Sequence, residues 1–283
     1  MTEIPLYQVD AFSPAPFKGN PAAVCLLPQT SDDATLQAIA AEMNLSETAF
    51  LLREGRQPWA ESETFLLRWF TPQVEVRLCG HGTLSAAAVL FNAVEVTAPQ
   101  VTFQTLSGDL IARHTDDGAI ALDFPLDPPL ACAPPPDVLE ALGITQARTA
   151  AYGTGTEKLL LHFERAEEVR NLQPDFAALL NAPNMAAYQG LIVTAPGDPD
   201  TPYDFVSRFF APAVGIDEDP VTGSAHTLLA PYWAERLNKR EMFAYQASAR
   251  GGELRVRLGE GEAEDRVFLE GQAVIVLEGK LLV

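Results

Sequence analysis

Two glycine turns and one carboxylate are the parts of this chain whose residue types and spacing suit chemistry. RWFTPQVEVRLCGHGT runs from Arg68 to Thr83, and RFFAPAVGIDEDPVTGSAHT runs from Arg208 to Thr227. In each, a β-favouring stretch feeds a glycine-containing turn, and the turn feeds an apolar helix. A helix N-terminus presents unpaired N–H groups and the positive end of the helix dipole. Glycine there lets a ligand approach the backbone closely. Gly80 and Gly223 therefore mark two candidate anion cradles, most simply for a carboxylate. Either glycine alone reads as a tight turn; the pair at matching places reads as a site.

The third stretch is NLSETAF, with Glu47 between Leu45 and the apolar run Ala49-Phe50-Leu51-Leu52. Two readings stand side by side. One is a solvated surface turn. The other is a carboxylate among apolar neighbours, the setting in which burial tunes an acid for proton transfer. Cys79 precedes the first glycine turn, His81 lies inside it, and Asp219 leads into the second. His81 reads as a structural histidine or a site residue, and Asp219 as a cap for the second helix or a site residue.

The elements that must position these residues follow from pattern. IPLYQVDAF alternates as a strand, and FKGNPAAVCLLP is a turn followed by a buried strand. Ser31 or Asp32 caps a helix reaching about Met43, with Leu36, Ile39, Ala40 and Met43 on one face. LSAAAVLF and AHTLLAPYWAERL are so apolar that each helix must be wrapped by other structure. The two turns also align with one another. Arg68, Phe70, Pro72 and Val74 match Arg208, Phe210, Pro212 and Val214 at an offset of 140, and Val76 is set against Ile216. Three extra residues then bring Cys79-Gly80-His81-Gly82 onto Thr222-Gly223-Ser224-Ala225. TFQTLSGDL further on resembles AYQASARGGEL. A period this long points to two related domains rather than a solenoid. The proline-dense DPPLACAPPPD, unfit for a central sheet or a helix interior, marks their boundary. The expected domains are 1–126 and 127–283, with the last strand a candidate to pack back onto the first.

Composition narrows the partners. With 19 basic against 38 acidic residues, the net charge of −19 repels nucleic acid. No stretch approaches the apolar length of a membrane helix, and MTEIPLYQVD reads as a strand, so a cytoplasmic protein is expected. Cys25, Cys79 and Cys132 are odd in number and widely spaced, which argues against disulfides or a structural zinc site. Gly153–Lys158 (GTGTEK) lacks the spacing of a phosphate loop and reads as a turn. Cys79 and His81 have no second pair to complete a metal site, so no metal is expected.

GNPAAV, NLSETAF, LCGHGT and DPVTGSAH, in that order, resemble the PhzF-type phenazine-biosynthesis isomerase family, within the wider group of diaminopimelate epimerase and proline racemase. The resemblance covers essentially the whole chain. It implies an α+β fold of two similar domains, each a curled sheet or barrel around a central helix, with the active site in the cleft between them. It implies an isomerase that uses no cofactor and acts on a small anionic metabolite. Glu47 is the implied acid–base residue, assisted by His81 and Asp219. Asn20, Gly80, Gly82, Gly223 and Ser224 are the implied substrate-binding residues, and a homodimer is the implied assembly. In the wider group two cysteines act across one carbon, and their places here hold Cys79 and Thr222. A thiol at a helix N-terminus ionises far more readily than a threonine hydroxyl without an adjacent base. An amino-acid racemase using Cys79 and a non-catalytic binding protein are the alternatives.

Overall fold

The computed structural model describes residues 2–283, which fall into two compact units. One runs up to Phe124 and takes in Leu269–Val283; the other is Pro125–Phe268. The split differs from 1–126 and 127–283 chiefly at the C-terminus, because the C-terminal strand Ala273–Leu282 pairs antiparallel with the first strand along its whole length.

The first unit comprises β1 (Glu3–Ala11), β2 (Asn20–Leu27), α1 (Asp33–Met43), β3 (Glu47–Arg53), β4 (Thr64–Phe70), β5 (Glu75–Val76), α2 (Gly80–Asn92), β6 (Gln100–Thr105), β7 (Gly108–His114) and β8 (Ile120–Pro125). β1 is antiparallel to β2, β2 parallel to β3, and β3 antiparallel to β4. β4 is parallel to β6, and β7 continues antiparallel from β6. β5 turns back onto β4. α2 packs against β1, β2, β3, β7 and the C-terminal strand, so the sheet curls around it. Its residues from Gly80 to Leu90 are all buried, as its all-round apolar sequence requires. α1 sits on another layer, with Leu36, Ile39 and Ala40 against Phe50, Phe70 and Cys25. Asp32 caps it by accepting the Thr35 N–H, and Asn44 ends it in the left-handed conformation.

The second unit repeats this order. Its elements are β9 (Pro129–Cys132), α3 (Pro136–Ala141), β10 (Thr149–Gly153), β11 (Lys158–His162), α4 (Ala166–Asn171), α5 (Phe176–Asn181), β12 (Gly190–Pro196), β13 (Phe205–Ala211), β14 (Ile216–Asp219), α6 (Gly223–Leu237), β15 (Glu241–Gln246) and β16 (Gly252–Leu258), while β17 (Arg266–Gly271) begins in this unit and ends in residues of the first. β10 is antiparallel to β11, β11 parallel to β12, and β12 antiparallel to β13. β13 is parallel to β15, β16 returns antiparallel, and β14 folds back onto β13. The pairing types match those of β1 to β7 one for one. α6 packs on β9, β15 and β16.

Side chains repeat as well. Arg68 grips Glu75 through two bonds of 2.6 and 2.8 Å, and Arg208 grips Glu218 through bonds of 2.6 and 2.9 Å. Each guanidinium also lies over a phenylalanine ring, Phe70 at 5.0 Å and Phe210 at 4.9 Å. This corrects the alignment of Val76 with Ile216. Phe70 pairs with Glu75 and Phe210 with Glu218, so the three extra residues lie before Glu218, in the turn through Pro212–Val214 and Gly215. Gly215 has φ 85, a conformation glycine takes without a Cβ penalty.

Two further sequence expectations gain detail. The proline-dense segment contributes only the four-residue strand Pro129–Cys132, which pairs antiparallel with β10. Pro129 stands at the strand's first position, where a missing N–H costs least. GTGTEK is a turn that holds an anion of its own. The Asp127 carboxylate accepts the N–H groups of Gly155 and Thr156, each at 2.9 Å, and the Thr156 hydroxyl at 2.6 Å.

Candidate active site

Glu47 is the first residue of β3, three residues past the Asn44 cap of α1, and it pairs with Ala22 of β2. Asn20 opens β2. Cys79 is the N-cap of α2, and its Sγ accepts the Gly82 N–H at 3.3 Å. The parallel β2–β3 pair and the start of α2 thus bring Asn20, Glu47, Cys79 and His81 together within the first unit.

The His81 imidazole is the hub. Its Nε2 lies 3.0 Å from Glu47 Oε2, at ion-pair distance but not aligned for a hydrogen bond. Its Nδ1 lies 3.1 Å from the Asn20 amide nitrogen and 3.6 Å from Cys79 Sγ. Asn20, Cys79 and His81 are buried. The Glu47 side chain retains 13% exposure, which makes it the member open to a ligand. Burial pulls the imidazole pKa down, but the anionic forms of Cys79 and Glu47 outweigh it and the net direction is upward. Burial, then the Glu47 carboxylate, raise the Cys79 thiol, against smaller opposing effects of His81 and the Gly82 N–H. The thiol is therefore pushed toward its neutral form. The expectation that the helix N-terminus would favour a thiolate gives way to desolvation.

Gly82 is glycine for want of space. A Cβ there would come within 2.8 Å of Trp69 Cδ1 and 2.9 Å of Cys79 Sγ. Its N–H is donated to that sulfur. Gly80 is the buried first residue of the helix.

Asp219, Gly223 and Ser224 form the corresponding turn of the second unit. Asp219 ends β14, and Thr222 is the N-cap of α6 without a side-chain cap bond. The Thr222 hydroxyl instead donates to Asp219 Oδ2. Thr222 therefore has an adjacent carboxylate, contrary to the sequence reading, and Asp219 is bound to that hydroxyl rather than serving as the N-cap. Gly223 is buried and Ser224 half-buried in the first turn.

Two residues here escaped the sequence reading. Gln246, at the end of β15, accepts the Thr222 N–H at 2.9 Å and donates to the Asp219 carbonyl at 2.7 Å. The resemblance of TFQ to AYQ was the available signal. Lys158, at the start of β11, is buried beside the Phe209 ring, with Nζ 3.3 Å from the Thr156 carbonyl. Burial brings its pKa down to about 8, against the opposing pull of Asp127, Asp219 and Glu157.

One donor atom each from Glu47, Cys79 and His81 lies within 4.8 Å of the others, a spacing that could hold a metal ion. Among the described residues no helix is long and apolar enough to cross a membrane.

Comparison with known proteins matches the chain along its length. The family model for phenazine biosynthesis-like protein matches residues 9–279. A protein of Pseudomonas aeruginosa named an uncharacterized isomerase is 48% identical over 279 residues, covering 99% of this chain and 98% of its own. The crystal structure of a PhzF-family phenazine biosynthesis protein from Enterococcus faecalis superposes with a TM-score of 0.89 at 41% identity, covering 100% of both chains. A hydroxyproline epimerase from Agrobacterium vitis shares the fold at 12% identity, with a TM-score of 0.60 over 99% of this chain and 92% of its own.

Proposed function

Because the chain belongs to the phenazine biosynthesis-like protein family, we propose that it is an isomerase that moves a proton on a small carboxylate-bearing metabolite without a cofactor. Glu47 is the acid–base group. As a carboxylate it takes a proton from one carbon of the substrate, and as the acid it returns the proton to another, so no proton is gained or lost overall. His81 holds Glu47 in place. The N-terminus of α2, opening at Gly80, offers the positive end of its dipole to the negative charge that develops. Asn20 fixes the imidazole through Nδ1. Asp219 is the assisting carboxylate of the second unit, where it acts on the Thr222 hydroxyl, and the turn through Gly223 and Ser224 offers a second helix N-terminus. A homodimer is the assembly proposed with it.

The observation that carries this reading is the 3.0 Å approach of His81 Nε2 to Glu47 Oε2, joining a buried imidazole to a partly exposed carboxylate. Burial of the Cys79 thiol as a neutral group counts against thiol-based racemisation. The test is proton exchange. A panel of small unsaturated, hydroxy and amino carboxylic acids is incubated with the protein in heavy water, and loss of C–H signals is followed by NMR. Glu47→Gln is expected to slow the exchange at least ~100-fold with an unchanged circular dichroism spectrum. Exchange retained in that variant rejects Glu47. Loss of exchange on alkylating Cys79, with Glu47→Gln still active, turns the assignment to the thiol.

A further inference from the structure

The proposed proton transfer makes no use of the Cys79 sulfur, yet the sulfur sits in the same cluster as Glu47 and His81. We propose that Glu47, Cys79 and His81 bind one thiophilic divalent cation of the zinc(II) or cobalt(II) class. Binding shuts off the proton transfer by occupying Glu47; this last clause alone rests on the reading above.

The donor set has the composition of a three-ligand site with one position open. Zinc takes thiolate, imidazole and carboxylate donors at about 2.0–2.3 Å in tetrahedral geometry, which puts neighbouring donors about 3.3–3.6 Å apart. One donor atom from each of the three residues lies within 4.8 Å of the others, and Glu47 and Cys79 flank the same imidazole, of which a metal ion takes one nitrogen. Side-chain shifts of about 1 Å bring separations of this size to the tetrahedral spacing. Glu47, the partly exposed member, has the most room to move, while Cys79 and His81 sit at the start of α2. It is also the side from which a cation arrives.

Charge and second contacts agree. A thiolate and a carboxylate balance two positive charges, so the buried cluster takes on no net charge. The cation displaces the thiol proton and any proton on the coordinating ring nitrogen, and these leave to solvent. The Asn20 amide nitrogen, 3.1 Å from His81 Nδ1, is the second contact that orients the imidazole. Sulfur and nitrogen donors select against magnesium and calcium, which prefer oxygen. Asp219 and Thr222 of the second unit offer only oxygen and lack such a set.

The experiment is titration of the full-length protein with cobalt(II) chloride at pH 7.5 without oxygen, read by absorption. The expected result is one equivalent bound, with a near-ultraviolet thiolate-to-cobalt band and visible bands of a low-coordinate ion. Zinc should displace both. Cys79→Ser should abolish the near-ultraviolet band, and His81→Asn or Glu47→Gln should weaken binding at least tenfold. Cys132→Ser should keep the whole spectrum. Absence of the band in the wild-type protein up to millimolar cobalt overturns the proposal, as does a band that survives Cys79→Ser or disappears in Cys132→Ser. If Cys79→Ser does not fold, unchanged cobalt affinity in Glu47→Gln, whose fold is checked by circular dichroism, overturns it equally. The spectrum is read without substrate, so its failure leaves the proton-transfer reading standing, and failure of the exchange test leaves the metal site standing.

Discussion

Replacing Lys158 with methionine tests whether a charged amine is held in the second unit at a cost to stability. Lys158 is 7% exposed. Its nearest polar contact is a backbone carbonyl, and Asp127, Asp219 and Glu157 offset its desolvation only in part. Its pKa falls from 10.5 to about 8 on folding. The sign follows from proton linkage. Below pH 8 both states carry the proton and the native state bears the full burial cost. Between about pH 8 and 10.5 the unfolded chain keeps the proton while the native amine loses it, so native stability rises with pH relative to a chain lacking the amine. At about 1.36 kcal/mol per pH unit, that window is worth about 3 kcal/mol. The Lys158→Met chain is expected to be more stable than wild type at pH 7, by up to about 3 kcal/mol, with the difference vanishing by pH 10.5. Asp127 needs no lysine to remain buried, because two N–H groups and a hydroxyl already bind it. Urea unfolding of both proteins at half-unit pH steps, read by circular dichroism, measures the difference. A difference constant from pH 7 to 10.5 refutes the reasoning.

Gly82→Ala is expected to destabilise the protein by about 1–3 kcal/mol, since the added methyl meets Trp69 and Cys79 Sγ inside van der Waals contact. Urea unfolding measures it, and a cost below about 0.5 kcal/mol shows that the turn gives way freely. Iodoacetamide at pH 7.5 is expected to label the half-buried Cys132 first. Burial raises the Cys25 thiol to about 12 and also raises the thiol of Cys79, so both should react only on unfolding. Peptide mapping that finds Cys79 labelled as fast as Cys132 contradicts a neutral, enclosed thiol.

The two wrapped helices were legible because LSAAAVLF and most of AHTLLAPYWAERL are apolar on every side, and both are buried along most of their length. The duplication was legible from Arg, Phe and Pro at constant spacing. The position of its insertion was not, since only strand register shows that Glu218 rather than Ile216 takes the place after Phe210. Glu47 stood open between a solvated turn and a tuned acid. What separates them is the approach of His81, thirty-four residues away in sequence and invisible to local pattern. Gln246 and Lys158 escaped for the same reason, as each is a polar residue in an ordinary strand whose partners come from other elements. Thr222 was misjudged because its acceptor, three residues earlier in the turn, depends on the turn's shape rather than on residue type.

The antiparallel pairing of Glu3–Ala11 with Ala273–Leu282 sets the timetable of synthesis. The ribosome releases every segment of Pro125–Phe268 before it delivers the final strand that the opening one needs. The unit translated first is thus the one completed last, and until then its leading strand is a bare edge open to mispairing. A nascent chain stalled short of residue 273 would be the form most dependent on a chaperone.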